Sequence, residues 1–129
     1  MIDIRFANEF EIDETRSLIT NLFPNSFISL NRSDLILIAR KKGKIVGFLH
    51  AQNKGQKILL CGLGVSPKMR NLGIGSMLLD YFFWNLNLTV PVFLKVKNLN
   101  PALNIYLKIG FFIKKYDDFA HVLVRKVNT

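Results

Sequence analysis

The residues Val65-Ser66-Pro67-Lys68-Met69-Arg70-Asn71-Leu72-Gly73-Ile74-Gly75-Ser76 carry the most chemistry per position in the chain. An apolar strand stops at a proline, and an amphipathic helix starts after two glycines and an arginine. That order makes a phosphate cradle. Glycines in a first helical turn let backbone N–H groups approach an anion closely, the helix dipole favours negative charge there, and Arg70 adds a fixed positive fork. The expected ligand carries a pyrophosphate or a similar group.

Spacing separates three kinds of anion loop. A nucleoside-triphosphate loop needs four residues between its glycines and then Lys-Ser or Lys-Thr, and the chain has no such run. A dinucleotide fingerprint needs glycine at positions 73, 75 and 78 and an acid roughly 20 residues later. Here position 78 is Leu78, and Phe93-Leu94-Lys95 stand where the acid belongs. What remains is Arg-x-x-Gly-x-Gly preceded by Val-x-Pro. This pattern resembles the coenzyme A loop of the GNAT superfamily of acetyl-CoA-dependent N-acetyltransferases, in which the cofactor's pyrophosphate sits on the loop amides. The resemblance implies a cofactor site at Arg70, Asn71, Leu72, Gly73, Ile74, Gly75 and Ser76, with acetyl-CoA as cosubstrate and no metal.

A second segment, Asn100-Pro101-Ala102-Leu103-Asn104-Ile105-Tyr106-Leu107-Lys108-Ile109-Gly110-Phe111, reads as a short helix. Asn100 is its N-cap, Pro101 its first helical residue and Gly110 its stop. It is also similar to the second GNAT signature, whose Ala, Tyr and Gly-Phe fall on Ala102, Tyr106 and Gly110-Phe111. The family's asparagine, seven residues before the tyrosine, is replaced by Leu99, with Asn98 and Asn100 on either side. Either can reach the pantetheine arm. Asn98, closing the preceding strand, is the better placed, because Asn100 is also the helix cap.

The same resemblance implies that the strands on either side of the phosphate-loop helix splay apart around the pantetheine arm. Cys61-Gly62-Leu63-Gly64-Val65 fits such a place, since glycine within a strand marks a bulge or a close backbone approach. The amides of Leu63, Gly64 and Val65 are then expected to hold the acetyl carbonyl as it becomes negative. Tyr106 matches the family's general acid, a phenol that protonates the departing thiolate. The general base is open: the strand before the loop has no carboxylate, which leaves His50, Glu9, Glu11, His121 or water.

Stepping outward, 129 residues at 50% hydrophobic build one core, so residues 1–129 read as a single N-acetyltransferase domain. The longest apolar run, residues 58–65, is far short of the roughly 20 needed to span a bilayer, and the first residues do not form a signal peptide. A cytoplasmic protein without a membrane partner is expected. Cys61 is the only cysteine, with no disulfide partner and no companions for a metal, and reads as a buried structural thiol.

A net charge of +9 attracts acidic ligands and argues against a polycationic acceptor such as a polyamine. The dense cluster Arg40-Lys41-Lys42-Gly43-Lys44 reads as a solvated hairpin turn. The elements expected are a strand at 2–6, a helix at 9–22, strands at 34–39, 45–51 and 57–65, a helix at 73–86 apolar on nearly all sides and deeply packed, a strand at 92–96, the Asn100 helix, and strands at 112–116 and 121–126. The fold class is α/β (α+β): a mixed, largely antiparallel sheet of six to seven strands around a parallel βαβ unit.

The implied function is transfer of the acetyl group of acetyl-CoA to a primary amine of a small molecule or protein by direct attack on the thioester. Acetylation of, or binding to, RNA such as aminoacyl-tRNA and a nonenzymatic acyl-CoA sensor are the alternatives. No aromatic-rich basic stripe runs along the sequence, which argues against simple RNA binding. Oligomeric state is open, a homodimer included.

Overall fold

The computed structural model describes residues 1–25, 29–31, 33–85, 89–97, 100 and 102–126. Among them the elements follow the expected order: β1 (Asp3–Phe6), α1 (Ile12–Leu22), β2 (Leu35–Lys41), β3 (Lys44–Asn53), β4 (Ile58–Val65), α2 (Ile74–Asn85), β5 (Val92–Lys97), α3 (Leu103–Lys108), β6 (Phe112–Tyr116) and β7 (Ala120–Arg125). The seven strands hydrogen-bond in the order β1-β2-β3-β4-β5-β7-β6, with β4 and β5 parallel. This is the mixed α/β sheet that the sequence implies. Residues cluster into two units: residues 1–51 with 62–87, and residues 52–61 with 88–129.

In the first unit, the expected helix at 9–22 opens as a 3-10 turn before α1. Asn8 accepts from the Glu11 amide at 3.1 Å, while Glu11 accepts from the Asn8 amide at 3.0 Å, a reciprocal cap that satisfies two end groups. Ile12 and Leu18 then pack on Ile36, Ile38 and Ile45. On the opposite sheet face, Ile74 and Leu78 of α2 approach Gly47, and Tyr81 meets Phe6 edge-on at 6.1 Å. α2 is less buried than its composition suggests. Ile74, Leu78, Leu79 and Phe82 are buried, whereas Met77 and Trp84 are exposed; residue 86 lies outside the described residues.

The β2–β3 hairpin turns at Lys42 and Gly43, both with positive φ (52° and 78°). Lys42 and Lys44 are exposed, as expected, but Arg40 is half-buried and paired. It donates to Gly43 O at 2.7 Å and lies 2.8 Å from Glu11 and 3.2 Å from Glu14. A register shift at Ala39/Arg40 pairs Arg40 with Ile45, so Ile45 shares the Phe48 and His50 face.

In the second unit, Ile58, Leu59 and Leu60 pair parallel with Val92, Phe93 and Leu94, and β7 pairs antiparallel with both β5 and β6. Cys61 is exposed, not buried. Alternation along β4 sends Ile58 and Leu60 to the buried side and Cys61 to the other. The regular α3 begins at Leu103, later than expected. Asn100 still organises its entry: its side chain accepts from the Ala102 amide at 2.9 Å and its carbonyl from Leu103 at 3.1 Å. Gly110, at φ 101°, ends the turn. Pro101 and Asn98 lie outside the described residues.

Among the described residues, no helix is long and apolar enough to cross a membrane, and no group of three or more His, Cys, Asp or Glu could hold a metal ion.

Candidate active site

The strand-to-helix connection in the first unit is built as a cradle of amides. Pro67–Met69 forms a single 3-10 turn, with Met69 N–H donating to Ser66 O at 2.8 Å. Asn71 and Gly73 then both adopt left-handed backbone, at φ 64° and 80°. Asparagine tolerates this region and glycine occupies it without steric cost. The first hydrogen bond of α2 runs from the Met77 amide to Gly73 O at 2.9 Å. Among the described residues, nothing accepts from the amides of residues 71–76. A Cβ placed on Gly73 would meet no atom within 4 Å. Six successive amides thus have no acceptor among the described residues at the positive end of a 12-residue helix, the arrangement that binds phosphate oxygens.

Arg70 is exposed and anchored by its Nε, which donates to Val65 O at 3.2 Å. That bond fixes the stem and leaves the terminal guanidinium nitrogens for an anion. Ser66 N–H donates to Val46 O at 2.8 Å, so strand alternation turns the Gly64 amide toward β3 as well. The Leu63 and Val65 amides point to the opposite edge.

Gly62 and Gly64 have a packing role that the sequence did not reveal. A Cβ on Gly64 would lie 2.6 Å from Phe48 Cε1, and one on Gly62 would lie 3.2 Å from Phe48 Cε2. The close neighbour these glycines admit is an aromatic ring of the core. Phe48 in turn stacks edge-on against Phe23 at 6.2 Å. Sequence distance hides this relationship, and no local signal marks it.

In the second unit, Tyr106 is 6% exposed and lies edge-on to Phe111, with ring centroids 5.7 Å apart. The Phe111 amide donates to Tyr106 O at 3.2 Å, so the Gly110-Phe111 corner fixes the helix turn that carries the phenol. Burial pushes the Tyr106 hydroxyl up to about 12. It stays protonated at any working pH and makes no hydrogen bond to the described residues. β4 pairs with β5 only from Ile58 to Leu60; beyond Leu94, β5 continues on β7.

The base candidates separate by environment. Glu11 accepts from Arg5 at 2.5 and 2.6 Å, from Arg40 at 2.8 Å and from the Asn8 amide. The Arg5 hydrogen bonds foremost hold its carboxyl down at about 2 against the cost of burial, which removes it as a base. Glu9 is exposed. His50 is buried with its Nε2 2.7 Å from Asp34 Oδ2. His121 has a buried Nδ1 without a hydrogen-bond partner among the described residues and stacks on Tyr116. It borders a groove of about 540 Å³ lined by Ile113, Lys114, Lys115, Tyr116 and His121.

A profile of the acetyltransferase (GNAT) domain matches residues 32–112. No curated protein sequence matches the chain. Among solved structures, the chain is similar in fold to the ribosomal-protein-S18-alanine N-acetyltransferase of Escherichia coli, with TM-score 0.86 and 17% identity over 100% of this chain and 96% of that one. It is similar to Arabidopsis thaliana Naa50 in complex with the bisubstrate analogue CoA-Ac-MVNAL, with TM-score 0.81 and 21% identity over 98% and 99%. It is also similar to the PaiA N-acetyltransferase of Thermoplasma acidophilum in complex with coenzyme A, with TM-score 0.78 and 16% identity over 98% and 99%. With the profile spanning well over half of its length, the chain belongs to the GNAT family of acetyltransferases.

Proposed function

We propose that residues 1–129 act as one N-acetyltransferase domain that transfers the acetyl group of acetyl-CoA to a primary amine of a small molecule or a protein, by direct attack on the thioester. The observation that carries this reading is the run of amides at residues 71–76, without acceptors among the described residues, with open space at Gly73. Its charge and spacing suit a pyrophosphate. Arg70, Asn71, Leu72, Gly73, Ile74, Gly75 and Ser76 hold that group, and Asn98 or Asn100 contacts the pantetheine arm.

Acetyl-CoA supplies an activated acyl carbon. The outward amides of Leu63 and Val65 donate to the carbonyl oxygen as it gains charge, while Gly64 serves by making room for Phe48. Tyr106 donates to the sulfur. A phenol held near 12 is a weaker acid than an ordinary thiol of about 8.5, so full transfer to a thiolate is uphill by roughly 5 kcal/mol. Tyr106 therefore acts chiefly as a hydrogen-bond donor that stabilises the developing thiolate, and the amine's proton completes the exchange.

Support for a protein amine comes from two of the fold relatives: one is named for a ribosomal-protein alanine, and another is bound to an analogue carrying the peptide MVNAL. The test is a screen of amine acceptors with acetyl-CoA, reading thiol release. N-terminal peptides and small amines form its two arms. Turnover with neither, in protein that binds acetyl-CoA, would replace the catalyst with a nonenzymatic acyl-CoA sensor.

A further inference from the structure

The chain's charge is shared unequally. The unit of residues 1–51 and 62–87 holds nine Lys/Arg and seven Asp/Glu, a net of +2. The unit of residues 52–61 and 88–129 also holds nine Lys/Arg, but only two acids, Asp117 and Asp118, a net of +7. Of the net charge of +9, +7 belongs to the smaller unit, because the acids are concentrated in the larger one.

Strand register places much of it on one face. Directly paired residues share a sheet face, so Phe93, Val124 and Phe112 form one row across β5, β7 and β6. Lys95, Val122 and Lys115 form the next row, and Lys97 with Ala120 the third. Lys95, Lys97, Phe112 and Lys115 are exposed, and small aliphatic side chains fill the centre between the lysines. Two further lysines lie over the Phe93 ring, Lys57 at 5.2 Å and Lys114 at 5.0 Å from its centroid, and Lys126 lies over the Phe112 ring at 5.7 Å. The bulge between Ile113 and Lys115 frees Lys114 from the ladder and lets it reach across. Asp117, tied to the amides of Phe119 and Ala120 at the hairpin turn, lies within electrostatic reach of Lys95.

We propose that this open sheet face binds single-stranded RNA. Lysines spaced along and across the strands match a flexible phosphodiester chain, and the exposed Phe112 ring beside them offers a flat apolar surface on which a base stacks in exchange for Lys126. An acidic peptide would use the lysines but has no need of the ring. The stripe is invisible along the sequence because β5 and β6 meet only through β7.

The test is fluorescence anisotropy of a labelled single-stranded RNA of about 20 nucleotides, titrated with the full chain between about 50 and 200 mM salt. Binding is expected, with a log–log salt slope of about −0.7 per phosphate contacted. Lys95→Glu with Lys115→Glu should weaken it by about tenfold or more and flatten the slope. Should that pair fail to fold, as judged by melting, Lys95→Gln with Lys115→Gln replaces it. Phe112→Ala should weaken binding about fivefold or more while leaving the slope unchanged. Absence of binding at 50 mM salt overturns the proposal. So does an unchanged affinity in Phe112→Ala together with equal competition by inorganic polyphosphate, which would mean charge alone. Equal loss in Lys41→Glu with Lys42→Glu, on the other unit, or binding only to vesicles of anionic lipid, also overturns it.

Discussion

Gly64 and Phe48 occupy one space: the Phe48 ring stands 2.6 Å from where a Gly64 side chain would begin, with Leu22 at 3.0 Å and Phe23 at 3.1 Å behind it. No side-chain atom fits there unless the ring moves, and Phe48 is fully buried. The strand leading to the phosphate loop is thus held flush against α1 by the absence of a methyl group.

Gly64→Ala should therefore destabilise the protein by about 1–3 kcal/mol, the usual cost of forcing extra volume into a packed core. Gly62→Ala, at 3.2 Å from the same ring, should cost less. Phe48→Leu, itself destabilising, should make Gly64→Ala clearly less costly in its background, with Leu22 and Phe23 still close. Urea midpoints of the wild type, the three single variants and the double variant decide this. Additive losses would mean that the ring is not the obstacle.

Glu11 gives the protein a defined acid sensitivity. Its side chain is 7% exposed and bonded to Arg5 and Arg40, and its carboxyl falls from the usual 4.5 to about 2. A depressed carboxyl contributes stability that is complete above the unfolded value and is lost as pH falls toward the folded one. The window therefore runs from about pH 4.5 down to pH 2, and the gap corresponds to on the order of 3 kcal/mol. Urea unfolding at pH 6 and pH 2.5 should differ by an amount that Glu11→Gln largely removes. An unchanged pH dependence in Glu11→Gln would assign the acid sensitivity to other carboxylates.

The fold was legible because its signals are local. Alternation marked β1, apolar runs marked β2 to β4, Pro67 and Gly73 bracketed the loop, and Gly110 ended α3. The cradle at residues 70–76 is a contiguous turn, so spacing alone described it. What escaped notice depends on partners distant in sequence. Glu11 sits at the start of a helix like any solvated acid, yet Arg40, 29 residues away, closes on it. Cys61 lies in an apolar run, but which strand face is covered is decided by packing, and alternation turned it outward. The basic and aromatic rows of β5 and β6 exist only through β7.

The cradle makes coenzyme A binding sensitive to backbone shape. Acetyl-CoA at about 100 times its dissociation constant should add about 2.7 kcal/mol of stability, read as a raised melting temperature, and NAD should add none. Gly73→Val should abolish the shift, because φ near 80° is strained for a branched residue even though the space is open. Arg70→Ala should weaken calorimetric affinity about tenfold or more through loss of a charge-assisted bond. A shift by NAD and not by coenzyme A, or full affinity in both variants, would place the anion elsewhere.

Tyr106 decides how the thiolate leaves. Tyr106→Phe keeps the ring, its edge-on contact with Phe111 and its burial, and removes only the hydroxyl. If that hydroxyl donates to the sulfur, kcat should fall by about 10²-fold or more while acetyl-CoA affinity is little changed, the pattern of an interaction made in the transition state. The pH profile carries an independent sign. Because burial holds the phenol near 12, the wild-type rate should show no descending limb near pH 10, where an exposed tyrosine ionises. A limb at pH 10 that disappears in Tyr106→Phe would mean that the phenol is solvated during turnover. A variant as fast as the wild type, with the profile unmoved, would mean that the thiolate leaves without help from Tyr106.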